Sequence, residues 1–306
     1  MKHDVQLFAL ATLNTFHLSS LEINQEVALG DLRDDITSEF EDLNLQDTKK
    51  ARLDHFEVSG AGLNDYSEKL LCLDGHRKVL YGIRHMGGSR DVPFVQFTPS
   101  FPIGSKSEAL EIYKAIKSEL KVFNPLYVSF WTKSKIDSDF IGSVYMVSTS
   151  DKLKALTPWE QESAIRFKDI SDDSYYDWYK KGYDEFHVDF PNLRQKVTVN
   201  SANSMKNSLE QGLIKYIFID GEKIGLIAAE KNKLLGHDGI YFHEIYIDKK
   251  WKGKGLAKAI QRKFIEKQAQ GNEFVWGTID SSNLPSYKTA YSNGRRPIRF
   301  ECFVNL

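Results

Sequence analysis

Apolar and polar positions alternate along two stretches of this chain, each centred on an Asp-Gly pair, and the alternation predicts β-hairpins. Leu70 to Arg84 alternates around Asp74-Gly75, and Tyr216 to Ala229 around Asp220-Gly221. Asp-Gly suits a type I′ turn because both central residues need positive φ. The same order follows each hairpin: a strand (Pro93 to Thr98; Ile240 to Ile247), an amphipathic helix (Ser107 to Lys121; Leu256 to Gln270) and a further strand (Leu126 to Trp131; Glu273 to Ile279). Asp74 and Asp220 lie 146 positions apart, so the pattern predicts an internal duplication.

Helical sequence precedes each hairpin. Asp31 to Leu43 supplies it in the first half; Ser174 to Phe186, with Ser174 as N-cap, and Ser201 to Gln211 supply it in the second. Periodicity breaks between Ser148 and Pro158, which predicts two α/β (α+β) domains, 1–150 and 151–306.

Composition narrows the function. With 41% hydrophobic and 27% charged residues the chain is globular rather than disordered. A net charge of −1 argues against nucleic acid or an anionic membrane as partner, so charge logic is local. Residues 22–47 carry nine acids and one Arg, and residues 248–267 carry eight bases and two acids. The acidic run reads first as a solvated helical face and secondarily as an attractor of a cationic substrate. Cys72 and Cys302 are too few for a disulfide framework or a zinc cluster, which predicts a reducing compartment and no metal. No apolar run reaches the roughly 20 residues of a membrane span, and Leu7 to Leu13 follows Asp4 and Gln6, a poor start for a signal peptide. A cytoplasmic protein is expected.

The chemistry concentrates in Phe242 to Arg262. A strand ends near Ile247, and Lys252-Gly253-Lys254-Gly255-Leu256-Ala257 opens a helix with Leu256, Ile260 and Phe264 at four-residue spacing. Strand, glycine turn and helix start form an anion-binding arrangement, because free backbone N–H groups and the positive helix end converge there. Neither a P-loop nor a dinucleotide Gly-x-Gly-x-x-Gly pattern is present. The stretch instead resembles the acyl-CoA signature of the GNAT superfamily of N-acyltransferases, with strand end Ile245-Tyr246-Ile247 and loop Lys252 to Ala257, Lys standing where the family usually has Arg or Gln. Asn283-Leu-Pro-Ser286 to Gly294 is similar to the family's Asn-x-x-Ala/Ser helix, and Arg295 to Val304 to its final hairpin.

The resemblance implies tandem GNAT-like domains, each a mixed, mostly antiparallel twisted sheet flanked by helices, with two strands splayed into a cleft. Acyl-CoA would lie in that V with its pyrophosphate on Lys252 to Ala257. Backbone groups of Ile245 to Ile247 would face the pantetheine and thioester, and Asn283 and Ser286 would line the CoA side. It also implies direct attack of an amine on the thioester in a ternary complex. An amine of pKa near 10.4 needs a base at neutral pH, and His243 and Glu244 occupy the expected strand. Simple alternation puts His243 on one face with Tyr241, Ile245 and Ile247 and Glu244 on the other; a β-bulge would change this. The family's usual acid position holds Ala290, with Tyr287 and Tyr291 as the nearest substitutes. In the first half the corresponding loop, Phe97 to Ser107, has Pro99, Pro102 and a single Gly104, so that half is expected to be a degenerate copy. The resulting expectation is an acetyl-CoA-dependent N-acetyltransferase, monomeric or homodimeric, acting on a small-molecule or protein amine. Ala290 supports the alternative, a non-catalytic acyl-CoA-binding sensor or scaffold.

Overall fold

The computed structural model describes residues 4–191, 194 and 197–306. The chain forms two compact units, one comprising Met1–Val144 with Ile298–Leu306 and the other Tyr145–Pro297.

The first unit opens with three helices, α1 (Val5–Leu13), α2 (Gln25–Asn44) and α3 (Gln46–Phe56). Helix α2 carries most of the acidic run and buries only Ala28, Leu32 and Ile36, which leaves the acids outward. The strands β1 (Lys69–Cys72), β2 (Lys78–His85), β3 (Pro93–Pro99), β4 (Tyr127–Thr132) and the first half of β5 (Phe140–Thr149) follow, with α4 (Lys106–Leu120) between β3 and β4. β1, β2 and β3 pair antiparallel in sequence. β3 and β4 are parallel and paired only at Phe94↔Tyr127, Val95↔Val128 and Gln96↔Ser129, after which they part. Val79, Tyr81 and Ile83 pack with Ile112 and Ile116 of α4 in the core.

The second unit takes Tyr145 to Thr149 of β5, then α5 (Ser150–Lys154), β6 (Ile165–Asp169), α6 (Tyr175–Asp189), α7 (Lys206–Glu210), β7 (Ile214–Ile219), β8 (Glu222–Leu234), β9 (His237–Ile247), α8 (Leu256–Gln268), β10 (Phe274–Asp280) and α9 (Leu284–Ser292). β6 to β9 form an antiparallel series. Leu256, Ile260 and Phe264 of α8 are buried against Ile240, Phe242 and Ile247, so the four-residue spacing does mark the packed face. Tyr175 and Tyr179 of α6 are buried with Leu226, Ala228 and Tyr246 in a separate cluster. Burying each such large side chain contributes about 1.5–3 kcal/mol.

Four local expectations change. Asp220 and Gly221 do have φ of 50° and 81°, as a type I′ turn requires. Asp74 and Gly75 do not, because five residues separate the paired Cys72 and Lys78 and the Asp74 carboxylate accepts from the backbone N–H of His76 (2.9 Å) and Arg77 (2.8 Å). Bonded to Arg77 as well, Asp74 sits well below the usual carboxylate range. Ser174 has helical φ and ψ and caps nothing through its side chain; the second short helix is only Lys206–Glu210. The last strand, β11 (Arg296–Asn305), expected to close the C-terminal half, contributes Ile298 onward to the first unit. The reason is its antiparallel pairing with β4, from Phe300↔Thr132 to Asn305↔Tyr127.

Candidate active site

β9 and β10 are parallel but paired only at Phe274↔Gly239, Val275↔Ile240 and Trp276↔Tyr241. Beyond Tyr241 the last six residues of β9 have no β10 partner in that register, so the two strands open into a V whose crotch lies at Phe242 and Gly277. The loop leaving β9 carries Gly253 (φ 78°) and Gly255 (φ 71°), and Gly255 is the N-cap of α8 with no side chain capping the helix. Lys252, Gly253, Lys254 and Gly255 are exposed while Leu256 is buried. Positive φ at Gly253 and Gly255 lets the backbone curl ahead of the helix, and no side chain caps the N–H groups at the helix start. Lys252 stands over the Phe186 ring at 4.5 Å and Lys254 over Trp251 at 4.3 Å. Desolvation lowers the Lys252 ammonium from its ordinary pKa, and the charges of Glu244, Asp189 and Asp248 oppose that fall.

The equivalent place in the first unit is filled from within. Ser105 accepts from Glu108 N (3.2 Å), and the Glu108 carboxylate accepts from Gly104 N (2.9 Å). The α4 N-terminus therefore already holds a carboxylate. The Gln96 amide donates to Ser129 O (3.3 Å), bridging β3 and β4 where they part.

The register of β8 on β9 shifts between Ala228 and Ala229: Ala228 faces Glu244 and Ala229 faces Phe242, which leaves His243 as a bulge. The bulge reverses the phase of alternation. Ile245 and Ile247 pack with Phe242 on the α8 side, whereas Glu244 and Tyr246 reach α6, so the expectation from unbroken alternation that His243 shares a face with Ile245 and Ile247 does not hold. Glu244 Oε2 accepts from Tyr179 Oη (2.5 Å), Tyr183 Oη (2.7 Å) and Asn200 Nδ2 (3.2 Å). Asn200 N donates to Tyr179 Oη (3.1 Å), which orients that hydroxyl as a donor to the carboxylate. Burial raises the Glu244 pKa, and the three donors offset only part of it. His243 Nε2 lies 3.1 Å from Glu230 Oε2 without hydrogen-bond alignment. Burial works against Glu230 ionising, yet its contacts with His243 and Asn232 hold its pKa below the ordinary value. A cleft of about 290 Å³ opens between the end of α6 and the end of β9, lined by Gly182, Phe186, Phe190, Tyr246, Asp248 and Lys252. It joins the glycine loop to the aromatic side of α6.

On α9, the Asn283 side chain accepts from Ser286 N (3.2 Å), so Asn283 serves as the helix cap. Ala290 is fully buried. Tyr291 is 50% exposed with Arg296 over its ring at 4.1 Å, and Tyr287 is partly buried and stacked on Tyr291. Tyr179, Tyr183, Asn200 and Glu230 were not anticipated from sequence. Tyr175, Tyr179 and Tyr183 at successive four-residue intervals were the available signal, one helical stripe of tyrosines.

Residues 158–293 match the profile of the Acetyltransferase (GNAT) family. That segment is a GNAT acetyltransferase domain. Among solved structures, a GCN5-related N-acetyltransferase from Sphaerobacter thermophilus superposes with a TM-score of 0.54 at 9% identity, covering 100% of this chain and 94% of that one. A GNAT-family acetyltransferase from Colwellia psychrerythraea gives a TM-score of 0.48 at 11% identity over 86% and 97% of the two chains. At 9% identity the likeness to the Sphaerobacter thermophilus protein speaks for the fold alone. No curated protein sequence matches this chain. Among the described residues no helix is long and apolar enough to cross a membrane, and no group of three His, Cys, Asp or Glu side chains is placed to hold a metal.

Proposed function

We propose that the second unit transfers an acetyl group from acetyl-CoA to a primary amine. The observation that carries this is the run from the end of β9, open on its β10 side, into the uncapped start of α8 with positive φ at Gly253 and Gly255, which fits a pyrophosphate followed by an extended arm lying along a strand edge. Gly253 to Ala257 bind the phosphates through backbone N–H groups, with Lys252 and Lys254 adding charge. Ile245 to Ile247 offer the free strand edge to the arm, and Asn283 and Ser286 border it from α9.

Glu244 takes the amine proton. Its raised pKa makes it a stronger base than an exposed carboxylate, and three donors keep it aimed. His243, beside it on the bulge, is the second base to test. The acceptor enters over the aromatic side of α6, past Phe186 and Tyr246. Of the two tyrosines beside Ala290, Tyr287 is partly buried and Tyr291 faces solvent under Arg296. The buried Ala290 favours a second reading, a protein that binds acyl-CoA without turning it over. Calorimetric titration with acetyl-CoA, combined with free-thiol release across a panel of amines, separates the two. Binding with thiol release supports transfer, binding without it supports the sensor, and no binding overturns both.

A further inference from the structure

The most anomalous group in the second unit is Arg295. It is 2% exposed, yet among the described residues no carboxylate pairs with it and its Nε has no hydrogen-bond partner. Among the described residues Nη2 donates to Gln261 Oε1 (2.7 Å), and Asn293 donates to the same oxygen (3.3 Å). Burial alone pushes its pKa down to about 9. A buried cation without an anion is costly and needs a reason.

Its position supplies one. The guanidinium lies over the Phe242 ring at 5.2 Å, and a Cβ built on Gly277 would meet Nη1 at 3.5 Å and Phe242 O at 3.4 Å. Phe242 and Gly277 are the first residues past the paired segment of β9 and β10, so the charge sits at the crotch of the V. The backbone N–H of Arg295 bonds Ala290 O (3.1 Å), which anchors the root of this side chain to the last turn of α9. Five residues of strand, about 17 Å, separate Phe242 from Ile247 at the loop. An anion reaching Arg295 therefore belongs to the thioester end of the ligand, not to its phosphates.

We propose that Arg295 stabilises the CoA thiolate as it leaves, in place of a proton donor. The inference rests on the acyl-CoA reading above. As the amine nitrogen bonds to the acyl carbon its proton passes to Glu244, the C–S bond breaks, and the electron pair stays on sulfur. The sulfur leaves as a thiolate facing the guanidinium and takes a proton later from water.

The test is the titration of the thiol of bound CoA, followed by thiolate ultraviolet absorbance and by proton release on calorimetric binding, in native protein, Arg295→Met and Arg295→Lys. Native protein is expected to lower the thiol pKa below its free value near 8.5 and to release a proton on binding CoA at neutral pH. Arg295→Met should bind CoA but lose that release and drop turnover by about 10²-fold, the loss that accompanies one donor to a developing anion. Arg295→Lys should recover part of both. An unshifted thiol pKa in native protein overturns the proposal while leaving the acyl-CoA reading standing; failure of native protein to bind CoA overturns both. Loss of turnover in Arg295→Met on succinyl-CoA but not acetyl-CoA also overturns it, since the anion is then a carboxylate of the acyl group. Arg295→Lys keeps the question open to measurement if the Met variant does not fold.

Discussion

Gly255→Val tests the cradle most directly. Gly255 has φ 71° and its Cβ would meet only Lys258 Cε at 3.5 Å, an ordinary contact, so the substitution is opposed by backbone conformation rather than by crowding. Holding an L-residue left-handed costs roughly 1–2 kcal/mol, and more when it is β-branched. The chain relieves that strain by leaving the left-handed region, which swings the N–H groups of Leu256 and Ala257 off the phosphates. Two hydrogen bonds to a charged group, at about 1.5–3 kcal/mol each, correspond to a fall in affinity of roughly 10²- to 10⁴-fold. Gly255→Ala carries the smaller strain without the branched side chain and should weaken binding about tenfold. The assay is calorimetric titration with acetyl-CoA at fixed salt, with thermal melts to show that each variant is folded. A folded Val variant binding within about threefold of native would refute the cradle, and an Ala variant as impaired as Val would refute the role of the branched side chain.

Glu244→Gln should lower turnover by about 10²-fold or more with acetyl-CoA affinity nearly unchanged, as for loss of a general base; steady-state rates beside calorimetry check it, and a comparable loss in His243→Ala with none in Glu244→Gln would move the role to His243. Because burial raises the Glu244 pKa and the tyrosines oppose that rise, activity should fall as pH drops through it, and removing both hydroxyls in Tyr179→Phe/Tyr183→Phe should move that acid limb to higher pH; a pH–rate profile with an unmoved limb refutes the assignment. Native protein should bind one acetyl-CoA per chain, because Glu108 and Ser105 already occupy the α4 N-terminus. A titration stoichiometry of two would show that the first unit retains a working site.

Local chemistry determined much of this protein. The apolar alternation placed β7 to β10, and the four-residue spacing of Leu256, Ile260 and Phe264 identified the packed face of α8, since side-chain periodicity is fixed by backbone geometry. The glycine pair was legible because φ above zero is nearly forbidden to other residues. Tertiary structure decided what depends on pairing and burial. The same Asp-Gly made a type I′ turn at Asp220 but not at Asp74, where the length between strand partners left the Asp side chain to close the loop. The bulge at His243, set by the register against β8, put Glu244 under Tyr179 and Tyr183, and no alternation along one strand could show it. β11 joined the first unit because its hydrogen-bonding partner is β4, far away in sequence. Arg295 reads in sequence as one base of an Arg-Arg pair; only packing against Phe242 and Gln261 removes it from water, and that burial turns an ordinary charge into a group that calls for an anion.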